Sequence, residues 1–465
     1  MLVALVLVGL RAWQSTKGPP LRPWHTIVPA ELSADAIAHG DWKAYVAAET
    51  GMFELLHRRL QASLGPGDRT LLNRYNDASM VSPVAFGHDW NRSFVLEPAG
   101  AATGVVVLVH GLTDSPYSVR NLAQLYRQHG FIAIAPRMPG HGTVPAGLTR
   151  EGREEWLATV DMAMTEAGRR ASGRLPVHLV GYSNGAALAM LHVLHRIERG
   201  EPGDVQRIVL VSPMIEVRGS ARYAGLAALP ALFSRYAKSA WVDLYPEYNP
   251  FKYNSFPVHA ARESYLVTTA LHEAIDAVAA QGRMDRLPPI LAFQSVVDDT
   301  VNPRGAMTRI FDRLPASGSE LVLFDVNRSR LLLPMLPVAE LDWLGEAMHA
   351  APHPYTLTVV GAASEDDEAM IAWSRRAGTT AVTQEALGLD YPAEIYSLSH
   401  VALPFPADDP LYGNRPSGRR IVQLGGIAVR GERNALGVSQ DSLTRLSYNP
   451  FYAYMARRIE GSMRR

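Results

Sequence analysis

Short apolar runs follow one another along the chain from residue 93 onward, and amphipathic segments separate them. Each run is rich in Val, Ile, Leu or Phe, which is typical of a strand buried on both faces of a sheet. The intervening segments, such as 118–130 and 151–170, carry apolar residues at helical spacing. Strands that alternate with helices predict a mostly parallel central sheet flanked by helices. The runs are VVVLVH (105–110), FIAIAP (131–136), PVHLVG (176–181), RIVLVS (207–212) and PILAFQ (289–294).

The composition limits the classes of protein and of partner. Of the 465 residues 47% are hydrophobic and 19% are charged, which suits a well-packed globular protein. The formal net charge is zero, so no basic surface for nucleic acid is expected. The chain has no cysteine, which excludes disulfides, thiolate metal sites and a cysteine nucleophile. We expect no cofactor and no metal.

The first ten residues, MLVALVLVGL, contain only apolar residues and Gly. As a helix they would span roughly half of the apolar core of a bilayer. They predict an anchor or a signal remnant, and with it a location in the cell envelope or periplasm. The alternatives are an apolar arm or a leader without fixed structure, in a cytoplasmic protein.

A candidate nucleophile lies between a buried strand and an Ala/Leu-rich helix. The segment GYSNG (181–185) has the pattern Gly-x-Ser-x-Gly at this junction. A serine there must occupy a sharp, strained turn, and larger residues than glycine two positions away would clash with neighbouring backbone. The pattern alone occurs by chance, but its place between strand and helix predicts that Ser183 is the nucleophile. An ordinary turn is the alternative.

An oxyanion hole is predicted from two backbone N–H groups. The strand at 105–110 runs into His110-Gly111-Leu112, a turn that can direct the N–H of Leu112 at a bound acyl group. The N–H of Asn184, directly after the nucleophile, would be the second donor. We expect structural roles in their loops for His110 and for His141 of MPGHGT (138–143).

A serine nucleophile needs a histidine base and a carboxylate that orients it, in the chain order Ser, acid, His in this kind of fold. SVVDDTVNP places an acidic pair after the strand at 289–294. We predict Asp298 as the acid, with Asp299 as the alternative in register and Asp325 as the next candidate. A solvated turn without a catalytic role is the other interpretation.

The predicted base is His400, which follows the strand-like run AEIYSL in AEIYSLSHVALPFP (393–406). His349 and His353 also lie between Asp298 and the C-terminus. His349, however, falls at the end of a helical pattern, and His353 precedes a strand pattern instead of following one.

These segments together resemble the bacterial monoacylglycerol-lipase and serine-aminopeptidase-like branch of the α/β-hydrolases. The resemblance rests on HGLTDSP, MPGHG, GYSNG, SVVDDTVNP and SLSHVALP, and covers about 90–303 and 393–406. It implies a triad of Ser183, Asp298 and His400. Two features depart from the family pattern: Ser295 replaces the glycine that opens the acid turn, and the interval between acid and histidine is long.

The resemblance also implies a cap, which we expect at 218–287. Within it, 221–242 could line an acyl pocket or could pack the cap onto the core. A second insertion, 327–392, should contain a helix, a strand over 355–361 and a helix over 365–376. The predicted division is 1–20 (apolar segment), 21–92 (linker and helical region), 93–217 (core, first part), 218–287 (cap) and 288–465 (core, second part). Within the N-terminal part, we expect an extended linker at 18–31 and helices at 32–64.

These features predict a cap-bearing α/β-hydrolase that cleaves small carboxylic esters with apolar acyl groups. An amidase, peptidase or acyltransferase with the same triad is one alternative. A hydrolase fold without catalysis, serving as a scaffold, is another. Epoxide hydrolases and dehalogenases of this fold place Asp at the nucleophile position, so Ser183 excludes them.

Overall fold

A computed structural model describes residues 9, 11–216, 229–316, 318–336, 341–415, 422–426 and 445–463. The N-terminal apolar segment, except for Gly9, and the first part of the predicted acyl-pocket segment 221–242 lie outside the described residues. Within the described ranges, no helix is both long enough and apolar enough to cross a membrane.

The secondary structure alternates between strands and helices, as the sequence pattern predicts. The helices are α1 (Pro23–Thr26), α2 (Ala34–Ala38), α3 (Trp42–Ser63), α4 (Arg120–Gln128), α5 (Arg153–Ala171), α6 (Asn184–Glu198), α7 (Val258–Ala280), α8 (Gly305–Arg309), α9 (Asp342–His349) and α10 (Tyr452–Met463). The strands are β1 (Phe94–Leu96), β2 (Gly104–Val109), β3 (Phe131–Ala135), β4 (Val177–Tyr182), β5 (Arg207–Val211), β6 (Trp241–Asp243), β7 (Phe256–Pro257), β8 (Ile290–Ser295), β9 (Glu320–Phe324), β10 (Thr356–Ser364), β11 (Asp367–Arg375) and β12 (Val382–Asp390).

Ten of the strands in the described ranges form one sheet, in the order β1-β3-β2-β4-β5-β8-β9-β10-β11-β12. In this order, the seven neighbouring strands that begin with β3 and end with β10 are parallel to one another. The strands β1, β11 and β12, at the two ends of the order, each pair antiparallel with the strands beside them. Because parallel strands end at one edge, the turns after β2, β4, β5 and β8 meet there. The predicted α/β-hydrolase fold is confirmed.

Two apolar cores cover the two faces of the sheet. Alternate residues of β2 enter different cores: Val105, Val107 and Val109 face one side, and Val106 and Leu108 face the other. The first core includes apolar residues of α5, α6 and α7, and the second includes those of α4 and α10. Helix α7, which belongs to the range predicted as a cap, therefore packs against α6 in the core layer.

The insertion 327–392 extends the sheet. β10 pairs with β9 in parallel, and β11 and β12 follow as an antiparallel ribbon. The predicted strand over 355–361 is confirmed, but the helix predicted over 365–376 is wrong, since β11 occupies this segment. Met370 and Ala372 are buried two residues apart, which is the spacing of a strand. Pairing on both sides outweighs the helix propensity of the segment.

The N-terminal region packs onto the core. The predicted helical range 32–64 is confirmed as α2 and α3, whereas the segment 18–31, predicted to be extended, contains the short helix α1. Glu31 and Glu49 reach the core residue Arg137, which follows β3. Both pairs are buried, so this region is part of the same folded unit.

Candidate active site

Ser183 lies on the sharp turn between β4 and α6. Its φ and ψ angles are 55° and −117°, a conformation that is strained for a residue with a side chain. A Cβ atom on Gly181 would lie 2.4 Å from Ala186 Cα, and one on Gly185 would lie 2.2 Å from the carbonyl oxygen of Val109. Both positions therefore require glycine, and the turn holds Ser183 at the edge where the strands end.

The structure brings Ser183, His400 and Asp298 together in one chain of hydrogen bonds. His400 Nδ1 lies 2.6 Å from Asp298 Oδ2, and His400 Nε2 lies 2.8 Å from Ser183 Oγ. Because a carboxylate can only accept, Nδ1 carries the proton and Nε2 is left to accept from the serine hydroxyl. All three side chains are buried. This arrangement can remove the proton from Ser183 as its oxygen attacks a carbonyl carbon.

The carboxylate of Asp298 accepts from four donors, of which His400 is one. Oδ1 accepts from the N–H groups of Thr300 and Val301, and Oδ2 accepts from Gln294 Nε2 as well as from His400. Burial alone raises the pKa of Asp298, but the charge of His400 and the hydrogen bonds from His400, Val301 and Thr300 leave the pKa below its ordinary value. The neighbouring Asp299 is exposed.

The loop before His400 is fixed by two buried serines at strand ends. The hydroxyl of Ser212, after β5, donates to the backbone carbonyl oxygen of His400 (3.1 Å). The hydroxyl of Ser295, at the end of β8, donates to the backbone carbonyl oxygen of Leu398 (2.8 Å). The segment AEIYSL before His400 is not a strand, contrary to the sequence prediction. Sequence reasoning missed both positioning serines, and the one available signal was the departure from glycine at Ser295.

The loop after β2 lies directly against the nucleophile. A Cβ atom on Gly111 would be 3.2 Å from Ser183 Cβ, and Thr113 has a φ of 65°. Leu112, between them, is half-buried. Asn184 is the first residue of α6, so its N–H has no partner within the helix. Leu112 and Asn184 thus lie on two segments that flank Ser183.

The other histidines considered in the sequence analysis have surroundings different from that of His400. His110 accepts from the N–H of Met138, and burial lowers its pKa to about 4. His141 packs against the His110 ring (5.1 Å). His349 is exposed at the end of α9, and His353 bonds to the carbonyl oxygen of Ala347.

Asp325 pairs with Arg328, at 2.6 Å, instead of with a histidine. Within the described ranges, no group of three or more His, Asp or Glu side chains is arranged to hold a metal ion.

A cavity of about 310 Å³, here called the polar pocket, lies beside these residues. Tyr182 and Val401, the chain neighbours of Ser183 and His400, line it together with Asp114 of the loop after β2. Its other lining residues are mostly polar, and they include Lys252 and Arg445. Five tyrosines contribute to the wall: Tyr182, Tyr245, Tyr248, Tyr253 and Tyr412.

The chain is similar to several known proteins. Residues 100–328 match the family described as Serine aminopeptidase, S33. A thermostable monoacylglycerol lipase from Bacillus sp. (strain H-257) is 28% identical over 232 residues, which are 49% of this chain and 83% of that protein. A carboxylesterase from Bacillus subtilis (strain 168) is 36% identical over 55 residues, which are 12% of this chain and 22% of that protein.

Solved structures resemble about half of the chain. A monoacylglycerol lipase from Paleococcus ferrophilus is 18% identical with a TM-score of 0.37, and the match covers 50% of this chain and 89% of that one. A soluble variant of the monoglyceride lipase from Saccharomyces cerevisiae is 14% identical with a TM-score of 0.38, covering 50% and 82%. The family match and the monoacylglycerol lipase relative, together with the motifs quoted above, support an α/β-hydrolase of the monoacylglycerol-lipase-like branch.

Proposed function

We propose that this chain is a serine carboxylic-ester hydrolase in which Ser183, His400 and Asp298 form the catalytic triad. The observation that carries the proposal is the hydrogen-bonded series from Asp298 through His400 to Ser183, in which both distances are below 3 Å. The strained turn at Ser183 supports it, because strain of this kind is retained where a side chain must be presented to a substrate.

In the proposed reaction, Ser183 Oγ attacks the carbonyl carbon of the ester while His400 Nε2 takes the serine proton. Asp298 accepts from Nδ1–H, which orients the imidazole and stabilises its charged form. The N–H groups of Leu112 and Asn184 bind the oxyanion. His400 then gives its proton to the leaving alcohol. In the second half of the reaction, water attacks the acyl group while His400 takes the water proton, and His400 returns this proton to Ser183 Oγ as the acid leaves.

Ester hydrolysis is favoured over the alternatives by the relatives, which are named as a monoacylglycerol lipase and a carboxylesterase. The preference for apolar acyl groups stays a prediction, since part of the segment expected to line an acyl pocket is not described. Amide hydrolysis and acyl transfer would use the same triad. Turnover of matched ester and amide analogues, with and without an alcohol acceptor, separates the three.

The test is covalent labelling combined with turnover. The wild-type protein should react with a fluorophosphonate probe and hydrolyse short 4-nitrophenyl esters. Ser183→Ala and His400→Ala should stay folded and lose turnover by about 10⁴- to 10⁶-fold. The matched control His349→Ala, on an exposed helix end, should retain it. Turnover that survives in Ser183→Ala would disprove the assignment, and a protein that neither labels nor turns over any ester would favour the scaffold.

We also infer an envelope location from the apolar segment 1–10, because its residues have no amphipathic pattern that would place one face on a core. The native full-length protein should fractionate with membranes or the periplasm. Recovery only in the cytosolic fraction would contradict this inference.

A further inference from the structure

The polar pocket beside Ser183 is lined by Lys252 and Arg445, and within the described ranges neither cation makes a hydrogen bond to a carboxylate. The Lys252 ammonium and the Asp114 carboxylate are 3.9 Å apart, which is longer than a hydrogen bond. Within the described ranges, Lys252 Nζ makes no hydrogen bond. The guanidinium of Arg445, on the same wall of the pocket, donates to the Thr300 hydroxyl and, in the described part of the chain, to no carboxylate.

We propose that the polar pocket receives an anionic group, a carboxylate or a phosphate, carried by the ester substrate. This inference rests on the proposed function and names the substrate class of the same site. Lys252 would be the principal partner of the anion, and Arg445 would assist from the exposed side.

The position of Lys252 is fixed by its backbone. The N–H of the next residue, Tyr253, donates to the carbonyl oxygen of Thr113 in the loop beside Ser183 (2.9 Å), and Arg74 donates to the carbonyl oxygen of Lys252 itself (3.3 Å). On the other side, Phe251 stacks on Tyr117, with ring centres 4.1 Å apart. The ammonium is therefore presented to the pocket by a rigid segment, which lowers the entropic cost of binding.

Two cations and two carboxylates line the pocket: Lys252 and Arg445, and Asp114 and Asp243. Lys252 lies opposite Asp114, which is 5% exposed, whereas Arg445 has no carboxylate partner within the described ranges and is open to an anion. A second carboxylate at the wall, Asp243, lies within the electrostatic influence of Arg11.

Burial lowers the pKa of Lys252, Asp114 raises it, and Arg445 lowers it again. A bound anion would offset the two influences that lower the pKa of Lys252, which are burial and the charge of Arg445. The attraction between the anion and these cations is stronger in a half-buried site than in water.

The experiment compares esters that share a chain or ring and differ in the charge of one end group. For the acyl side, the probes are 4-nitrophenyl hexanoate, the mono-4-nitrophenyl ester of adipic acid, and 4-nitrophenyl 5-(trimethylammonio)pentanoate. For the alcohol side, they are 4-acetoxybenzoate and the neutral 4-acetoxybenzamide.

One of the two anionic esters should have a kcat/KM about 10- to 100-fold above its neutral match, the range of a charge-assisted hydrogen bond. The arm that responds shows which side of the ester enters the pocket.

Lys252→Met should bring the kcat/KM ratio of the anionic ester to its neutral match close to 1. Lys43→Met, at an exposed position of α3, is the matched control and should keep the anion preference. If Lys252→Met fails to fold, Arg445→Met gives the same comparison with a smaller loss. A preference for neutral or cationic esters in the wild type, or an anion preference unchanged in both variants, would overturn the inference. Because the neutral esters and the fluorophosphonate probe still report on Ser183, failure of the proposed function is distinguishable.

Discussion

At the scale of single residues, the candidate site depends on one position of register in the acid turn. Asp298 and Asp299 are adjacent, yet one is 5% exposed and bonded to His400, while the other is exposed. The two N–H donors at Thr300 and Val301 close the turn around Asp298, and this selects which carboxylate points inward. A single sequence gives both residues the same motif, so it could not decide between them.

Asp298→Asn should lower kcat for a 4-nitrophenyl ester by about 10⁴-fold, because an amide no longer holds His400 in the required tautomer. Asp299→Asn should remain close to the wild type.

The lowered pKa of Asp298 adds a stability test. A carboxyl group with a depressed folded-state pKa stabilises the fold above its unfolded pKa, and this contribution is lost as the pH falls through the folded value. Urea unfolding should therefore show a deficit for Asp298→Asn at pH 7 that shrinks in acid. If Asp299→Asn, and not Asp298→Asn, loses activity and stability, then Asp299 is the catalytic acid and the assignment of the turn is wrong by one residue.

At the scale of elements, local pattern predicts the central strands and the turns after them, but not the contacts between distant segments. The apolar runs mark β2, β3, β4, β5 and β8 because such strands are buried on both faces, and Ser183 and Asp298 follow directly from two of them.

The segment that forms β11 is rich in helix-forming residues, and only its pairing with β10 and β12 makes it a strand. The loop of His400 is likewise held by Ser295, which lies 103 residues from Leu398. No periodicity reports such a contact.

Ser295→Ala tests this connection between β8 and the His400 loop. Loss of a buried hydrogen bond of this kind costs about 1 kcal/mol, and the Leu398 carbonyl oxygen would lose this donor. We expect kcat to fall by about 3- to 10-fold with little change in KM, because the positioning of His400 is affected more than substrate binding. Ser63→Ala, at an exposed helix end, should change neither constant. A change in KM alone would contradict a positioning role.

At the scale of the whole molecule, the N-terminal region is bound to the core through charge. Arg137 is 1% exposed and donates to both carboxylate oxygens of Glu31 at 2.8 Å and to Glu49 at 3.1 Å. Its guanidinium also bonds to the carbonyl oxygen of His141, in the loop after β3. The same residue thus connects the N-terminal helices to a loop of the hydrolase core, so the range 21–92 contributes to one cooperative fold.

Arg137→Leu should lower the free energy of unfolding by about 3–5 kcal/mol, because it leaves two buried carboxylates without their cation. The measurement is urea denaturation followed by circular dichroism, with the slope checked for a single transition. Arg330→Leu is the matched control. Its ion pair with Asp366 is largely exposed, and such pairs contribute about 0–1 kcal/mol. If the two variants lose similar amounts of stability, the buried network does not hold the N-terminal region to the core. If Arg137→Leu instead shows two transitions, the region and the core unfold separately, and the single cooperative unit inferred from these contacts is wrong.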